Sequence, residues 1–413
     1  MKKKLLRFCL FGSLTGILLA SCSKENDEAD LEILTTVNAK TSLTQPGEYP
    51  VPLLAVDLPD GFRTNDIPFD IAKAVEPSAC SPTPFDDVIN ASIASNLDGL
   101  GLEWYSLYAE MNFVYTLTDN SHQYFGEKGQ YTFYVYYLKW KLERFWKMRR
   151  EVSVRGQHNA TLNNFDKIVE ILTFWYGLNE AEAADYADFF INYVNIESTF
   201  LVETPLLSFD AFAIALEGDF DQGDIIVLGD GIIELMAKTG IDKRVILSGI
   251  LSHEWAHQIQ FNNFETWYPN GAADNVPEAT RTTELEADFF TGYYLTHQRG
   301  GTHNWKRAEQ FLDLFYNIGD CSFDNDGHHG TPNQRMEAAK QGYELGQKGF
   351  YNCSKTCKGF AYGKIHRHYF SRGHALDEHE VHTAFLDKLD EIINGPWSSE
   401  VEEDDDEEEE YYY

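Results

Sequence analysis

Hydrophobic positions along this chain recur mostly in helical rhythm. Val245, Ile246, Leu247, Ile250, Leu251, Trp255 and Ile259 return at three- and four-residue steps, which predicts an amphipathic helix, and Asp242 stands where its N-cap belongs. A second helix is predicted across 282–290, with Pro277 near its start. From Phe85 to about Phe200 the pattern is again mostly helical and dense in aromatics, above all over 131–150. That stretch ends in Lys139, Lys141, Arg144, Lys147, Arg149 and Arg150. Its spacing suits a buried aromatic face with a basic solvent face better than a membrane-surface helix, because a large core must be filled. The period changes over 208–229, where 209–216 and 224–228 read as two short strands around a Gly/Asp-rich turn at 218–224. The expected fold is therefore α+β and mostly helical, with a small, largely antiparallel sheet beside the 243–260 helix.

The first residues read as an address. Lys2, Lys3, Lys4 and Arg7 precede a short apolar run from Phe8 to Ala20. It closes on Leu19-Ala20-Ser21-Cys22, which resembles a bacterial lipoprotein cleavage box. The resemblance implies lipidation at Cys22 and a protein anchored to the cell envelope without spanning the membrane. No later apolar run reaches the ~18 residues of a membrane span. Eight of the 13 prolines fall between residues 46 and 84, so 22–85 reads as a tether and extended entry after a 1–21 signal peptide. An aromatic helical subdomain (86–200), a core (201–350), a His- and Cys-containing extension (351–399) and an acidic tail (400–413) follow.

Composition narrows the partners. With 43% hydrophobic residues the 413-residue chain can bury a core, and 66 acids against 33 bases give a net charge of −33. That excess argues against nucleic acid as a partner, and against adhesion to anionic lipid through the folded surface. Outside the cytoplasm, Cys80, Cys321, Cys353 and Cys357 allow two disulfides in three connectivities.

The chemistry concentrates in His253-Glu254-Trp255-Ala256-His257. Four residues are about one helical turn, so the two imidazoles project side by side, as adjacent corners of a tetrahedral zinc site require. Glu254 then lies beside the open corner, placed to act as general base. A third ligand is needed. Glu284 and Asp288 are one turn apart on the second helix and share a face, which Glu286 cannot share. Glu284 is assigned as the ligand, and Asp288 as the carboxylate that holds a ligand histidine by its far N–H. Thr331-Pro332-Asn333-Gln334 is a capping box with Pro at the first helical position, just after His329. His366, His368, His374, His379 and His382 form a second cluster, open between an accessory metal site and a polar surface segment.

Three motifs together resemble the bacterial neutral zinc metallopeptidases, of gluzincin type: 253–260, 284–288 and His329 to Arg335. The likeness covers about 209–350 and is specific at the metal motifs. It implies one zinc ion on His253, His257 and Glu284 within a gluzincin-like core. It also implies Glu254 as a catalytic group and a protein or peptide as substrate, while His329, just before a helix N-terminus, reads either as a catalytic hydrogen-bond donor to the transition state or as a loop residue packed against the cap. By the same analogy, strand 224–228 pairs with an extended substrate. The rival class is a non-catalytic envelope lipoprotein that binds peptide or glycan.

Overall fold

Three buried segments set the architecture: a mixed sheet, the helix that crosses it, and a tightly packed helix pair behind that helix. The computed structural model describes residues 7–10, 80–215, 224–268, 276–303, 305–321, 328–357 and 375–395. Cys22, most of the leader, the tether to residue 79, the turn 216–223, His366, His368, His374, the Cys353 and Cys357 side chains and the acidic tail lie outside the described residues.

Helices α1 (Pro84–Asn96), α2 (Gly99–Thr118) and α3 (Thr132–Phe145) lead into strand β2 (Val152–Gln157). Helices α4 (Phe165–Phe174) and α5 (Glu180–Phe189) follow, then β3 (Ala211–Ala215), β4 (Asp224–Gly229) and α6 (Asp230–Ala237). The remainder is helical: α7 (Lys243–Trp267), α8 (Val276–Thr296), α9 (Trp305–Asn317), α10 (Pro332–Cys357), α11 (Glu378–Leu386) and α12 (Leu389–Asn394). Both strands expected at 209–228 form, so the α+β, mostly helical class holds.

The sheet differs from the expected one. β4 pairs antiparallel with β3 but parallel with β2, so the sheet is mixed rather than largely antiparallel. β2 lies within the stretch read as helical, and its pairing with β4 spans the boundary placed at residue 200. β4 is consequently internal, with neighbours on both edges, and offers no free edge to a substrate strand. The short strand β1 (Arg7–Leu10) runs antiparallel along the outer edge of β3.

Every β3 residue is buried, as a strand covered on both faces requires. On one face Phe212, Ile214, Ile225 and Val227 pack with Leu117 and Phe113 of α2. On the other lies α7, whose Gln258 Nε2 donates to the Ile214 and Ile225 carbonyls at 3.1 and 3.0 Å, tying the helix to both strands. Asp242 caps α7 as expected, accepting from Arg244 N–H at 2.9 Å.

Behind α7, helices α8 and α10 cross almost backbone to backbone. A Cβ on Gly292 would stand 2.0 Å from the Ala339 carbonyl oxygen, and one on Gly342 2.0 Å from that of Phe289. Only glycine permits that approach. A disulfide, Cys80–Cys321, joins the entry segment to the end of α9. One continuous core includes Phe85 of α1, Leu251 of α7 and Ile393 of α12, so the expected subdomains share it.

Helix α3 meets the expected orientation only in part: Tyr134 and Phe145 pack against the core and Arg144 lies outside, but other rings do not turn inward. Its buried stripe is aliphatic, Val135, Leu138 and Leu142, while Phe133, Tyr136, Tyr137 and Trp140 face outward. The inner positions at i, i+3 and i+7 are filled without the rings.

Candidate metal centre

From Val245 to Gln260 every residue of α7 is buried, so its polar side chains must find partners inside the protein. His253 and His257 are one turn apart, with their Nε2 atoms 3.0 Å from each other. Glu284, from α8, completes a triangle. Its Oε2 is 3.2 Å from His253 Nε2, and its Oε1 is 3.3 Å from His257 Nε2. Bonds of about 2.1 Å at tetrahedral angles would place ligand atoms about 3.4 Å apart, so these spacings fit one small cation. His253, His257 and Glu284 thus form a buried cluster that could hold a metal ion, and it is the only such group among the described residues.

Each ligand is held from behind. His253 Nδ1 lies 2.8 Å from Asp288 Oδ1, the role read for Asp288 from its place on the helix. Asp288 is itself clamped by Arg335, through Nε at 2.7 Å and Nη2 at 2.8 Å, and Arg335 Nη2 reaches to 3.4 Å from Glu284. Arg335 is therefore an ion-pair former behind the ligands. Its helix, α10, starts at the expected box, with Thr331 N–H donating to Gln334 Oε1 at 3.1 Å and Gln334 N–H to Thr331 Oγ1 at 3.3 Å.

The support of His257 was not anticipated. Its Nδ1 lies 2.8 Å from Gln260 Oε1, and Gln260 Nε2 donates to the Thr283 carbonyl and to Glu286 Oε2, both at 2.9 Å. Glu286 also accepts from Tyr268 and lies 2.5 Å from His382 Nδ1 of α11. His382 stacks on Trp267 with ring centroids 4.2 Å apart, and Trp267 donates to His379 at 3.0 Å. His382 thus serves as a buried strut. The only available signal was the location of Gln260 within the motif; its partners lie far away in sequence.

His329 also reaches the centre, with Nδ1 3.3 Å from Glu284 Oε2, and its backbone N–H donates to Asp320 Oδ2 at 2.7 Å. His328 Nδ1 lies 2.8 Å from the other Asp320 oxygen. Those contacts pull Asp320 down to about 2 against the effect of its burial.

Electrostatics distinguish the two glutamates. Burial alone would raise the Glu284 carboxyl, but the neighbouring His257 and His329 and the hydrogen bonds from His253 and His257 hold it well below the usual range. Burial disfavours a charged His253, yet Asp288 and Glu284 raise it above its ordinary value. Burial pushes Glu254 up to about 7, with His253 and His257 opposing. Neither Glu254 carboxyl oxygen has a hydrogen-bond partner among the described residues. Glu284 and Asp288, both buried, share one permanent cation, Arg335, which leaves negative charge for a bound cation to balance.

Compared with known proteins, the chain matches no family profile, no curated protein and no solved structure. No helix among the described residues is long and apolar enough to cross a membrane.

Proposed function

We propose that the protein is a zinc-dependent metallopeptidase with a gluzincin-like core, secreted and lipid-anchored at Cys22 in the cell envelope. One observation carries the reading: three ligand atoms at tetrahedral spacing lie beside a fully buried glutamate whose oxygens have no hydrogen-bond partner among the described residues. A structural glutamate in that position would be destabilising, whereas a proton carrier needs an uncommitted carboxylate with a raised pKa. Zinc on His253, His257 and Glu284 would supply Lewis acidity toward a scissile carbonyl and acidify a coordinated water.

The remaining steps belong to the chain. Glu254 takes a proton from the attacking water onto its carboxylate and delivers it to the leaving amine. His253 and His257 present neutral Nε2 atoms because Asp288 and Gln260 engage their Nδ1–H groups. Arg335 orients Asp288 through two hydrogen bonds. His329, held by Asp320, hydrogen-bonds the developing oxyanion.

The test is digestion of a peptide library by zinc-loaded wild type and Glu254→Gln. The variant should retain zinc and lose about 100-fold or more of the turnover. Equal turnover would remove the general-base role. A wild type that binds zinc or peptide without cutting would favour a non-catalytic binding lipoprotein.

A further inference from the structure

The outward face of α3 takes no part in this chemistry. Phe133, Tyr136, Tyr137 and Trp140 follow one another at i, i+3, i+4 and i+7, one stripe along the helix. They are 86%, 37%, 45% and 49% exposed, although the helix buries Val135, Leu138 and Leu142 beneath them. Four large rings on one exposed stripe add little to the core and mark an interaction surface.

Cations frame the stripe. The Arg144 guanidinium lies 4.7 Å from the Trp140 ring, and Lys141 Nζ 5.8 Å from that of Tyr137. After the helix, Lys147 and Arg150 both adopt φ of 63°, a left-handed backbone uncommon for such residues, and with Arg149 they are exposed. Six cations thus gather between Lys139 and Arg150, in a chain whose net charge is −33.

We propose that α3 and the 147–150 turn dock on the surface of an anionic lipid bilayer. Tyrosine and tryptophan, apolar rings with polar tips, favour the headgroup boundary, and Phe133 can enter the acyl edge. The cations face lipid phosphates. The local cations select an anionic surface against the overall charge of the chain, and repulsion of the acidic remainder fixes the orientation. The acidic tail 400–413, which ends in Tyr411, Tyr412 and Tyr413, is the competing occupant, and cutting the chain after Ser399 separates it from the membrane.

The test is vesicle co-sedimentation of the full chain carrying Cys22→Ser, which removes the lipid. Vesicles are phosphatidylcholine alone or with phosphatidylglycerol at about 30%, at low and high salt. The leader is common to all variants, so differences between them report α3. Phe133→Ser/Trp140→Ser and Lys147→Gly/Arg150→Gly should each lower partition onto anionic vesicles roughly 10- to 30-fold. Thermal melts should not fall below the parent value, since these side chains are exposed and glycine suits the left-handed backbone at 147 and 150. High salt should erase most of the parent's advantage on anionic over neutral vesicles. A parent that does not partition, or variants that partition as it does, would overturn the proposal. Binding that appears only when the chain is cut after Ser399 would assign the face to the tail and overturn it equally.

Discussion

Gln260→Leu removes the support of one candidate ligand while leaving all three ligands in place. Leucine roughly matches glutamine in volume but cannot accept from His257 Nδ1–H or donate to Thr283 and Glu286. Glu286 keeps Tyr268 and His382, so the principal loss is a buried imidazole N–H with no acceptor. An unmet buried donor costs about 1–3 kcal/mol, equivalent to roughly 5- to 150-fold in an equilibrium constant. Removing a hydrogen-bond partner of a metal-ligating histidine typically weakens metal binding about 10- to 100-fold. The two estimates overlap, so zinc affinity should fall about 10- to 100-fold. Competition against a chromophoric chelator measures it directly, with a urea titration of the metal-free protein to separate folding from binding. Gln260→Glu adds discrimination, since it keeps an acceptor for His257 but sets a carboxylate against Glu286. It should keep zinc affinity near wild type while lowering stability. Affinity of Gln260→Leu within about twofold of wild type would refute the reasoning.

Other perturbations probe the shell and the fold. Asp288→Asn removes the carboxylate that accepts two hydrogen bonds from the buried Arg335 guanidinium, leaving Glu284 at 3.4 Å, and should cost about 3–5 kcal/mol of stability in urea unfolding. Reducing Cys80–Cys321, or replacing both residues by serine, should remove about 2–5 kcal/mol, read as a lowered melting temperature. His303 is held down to about 4 by burial, with Arg307 and Lys141 contributing, so the unfolded chain binds a proton below about pH 6.5 that the folded chain refuses. Its contribution is therefore complete above that pH and is lost as pH falls toward 4. In His303→Phe the drop in urea midpoint between pH 7 and pH 4.5 should be smaller than in wild type, and an unchanged drop would show that His303 does not titrate this way.

Local signals carried much of the candidate site. His253, Glu254 and His257 are legible because the chemistry needs one helical turn. Glu284 and Asp288 are legible because face arithmetic on a second helix separates them from Glu286. The capping box before α10 follows from four adjacent residues. Features set by distant partners were not legible. Gln260 reads as one more polar position of α7 until Glu286 and Thr283 are brought against it by α8. His382 lies in a histidine-rich stretch, and only its contact with Glu286, 96 residues away, makes it a strut. β2 is six residues long, within a helix-rich stretch, and is a strand because β4 lies alongside it. Periodicity found the stripes of α3, but not which one the rest of the chain covers.

Zinc content is the most direct test of the central claim. Protein purified without added metal should carry one zinc per chain in wild type and in Glu254→Gln, and close to none in His253→Ala or Glu284→Ala. Equal zinc in all four proteins, or none in wild type even after zinc is supplied, would contradict it.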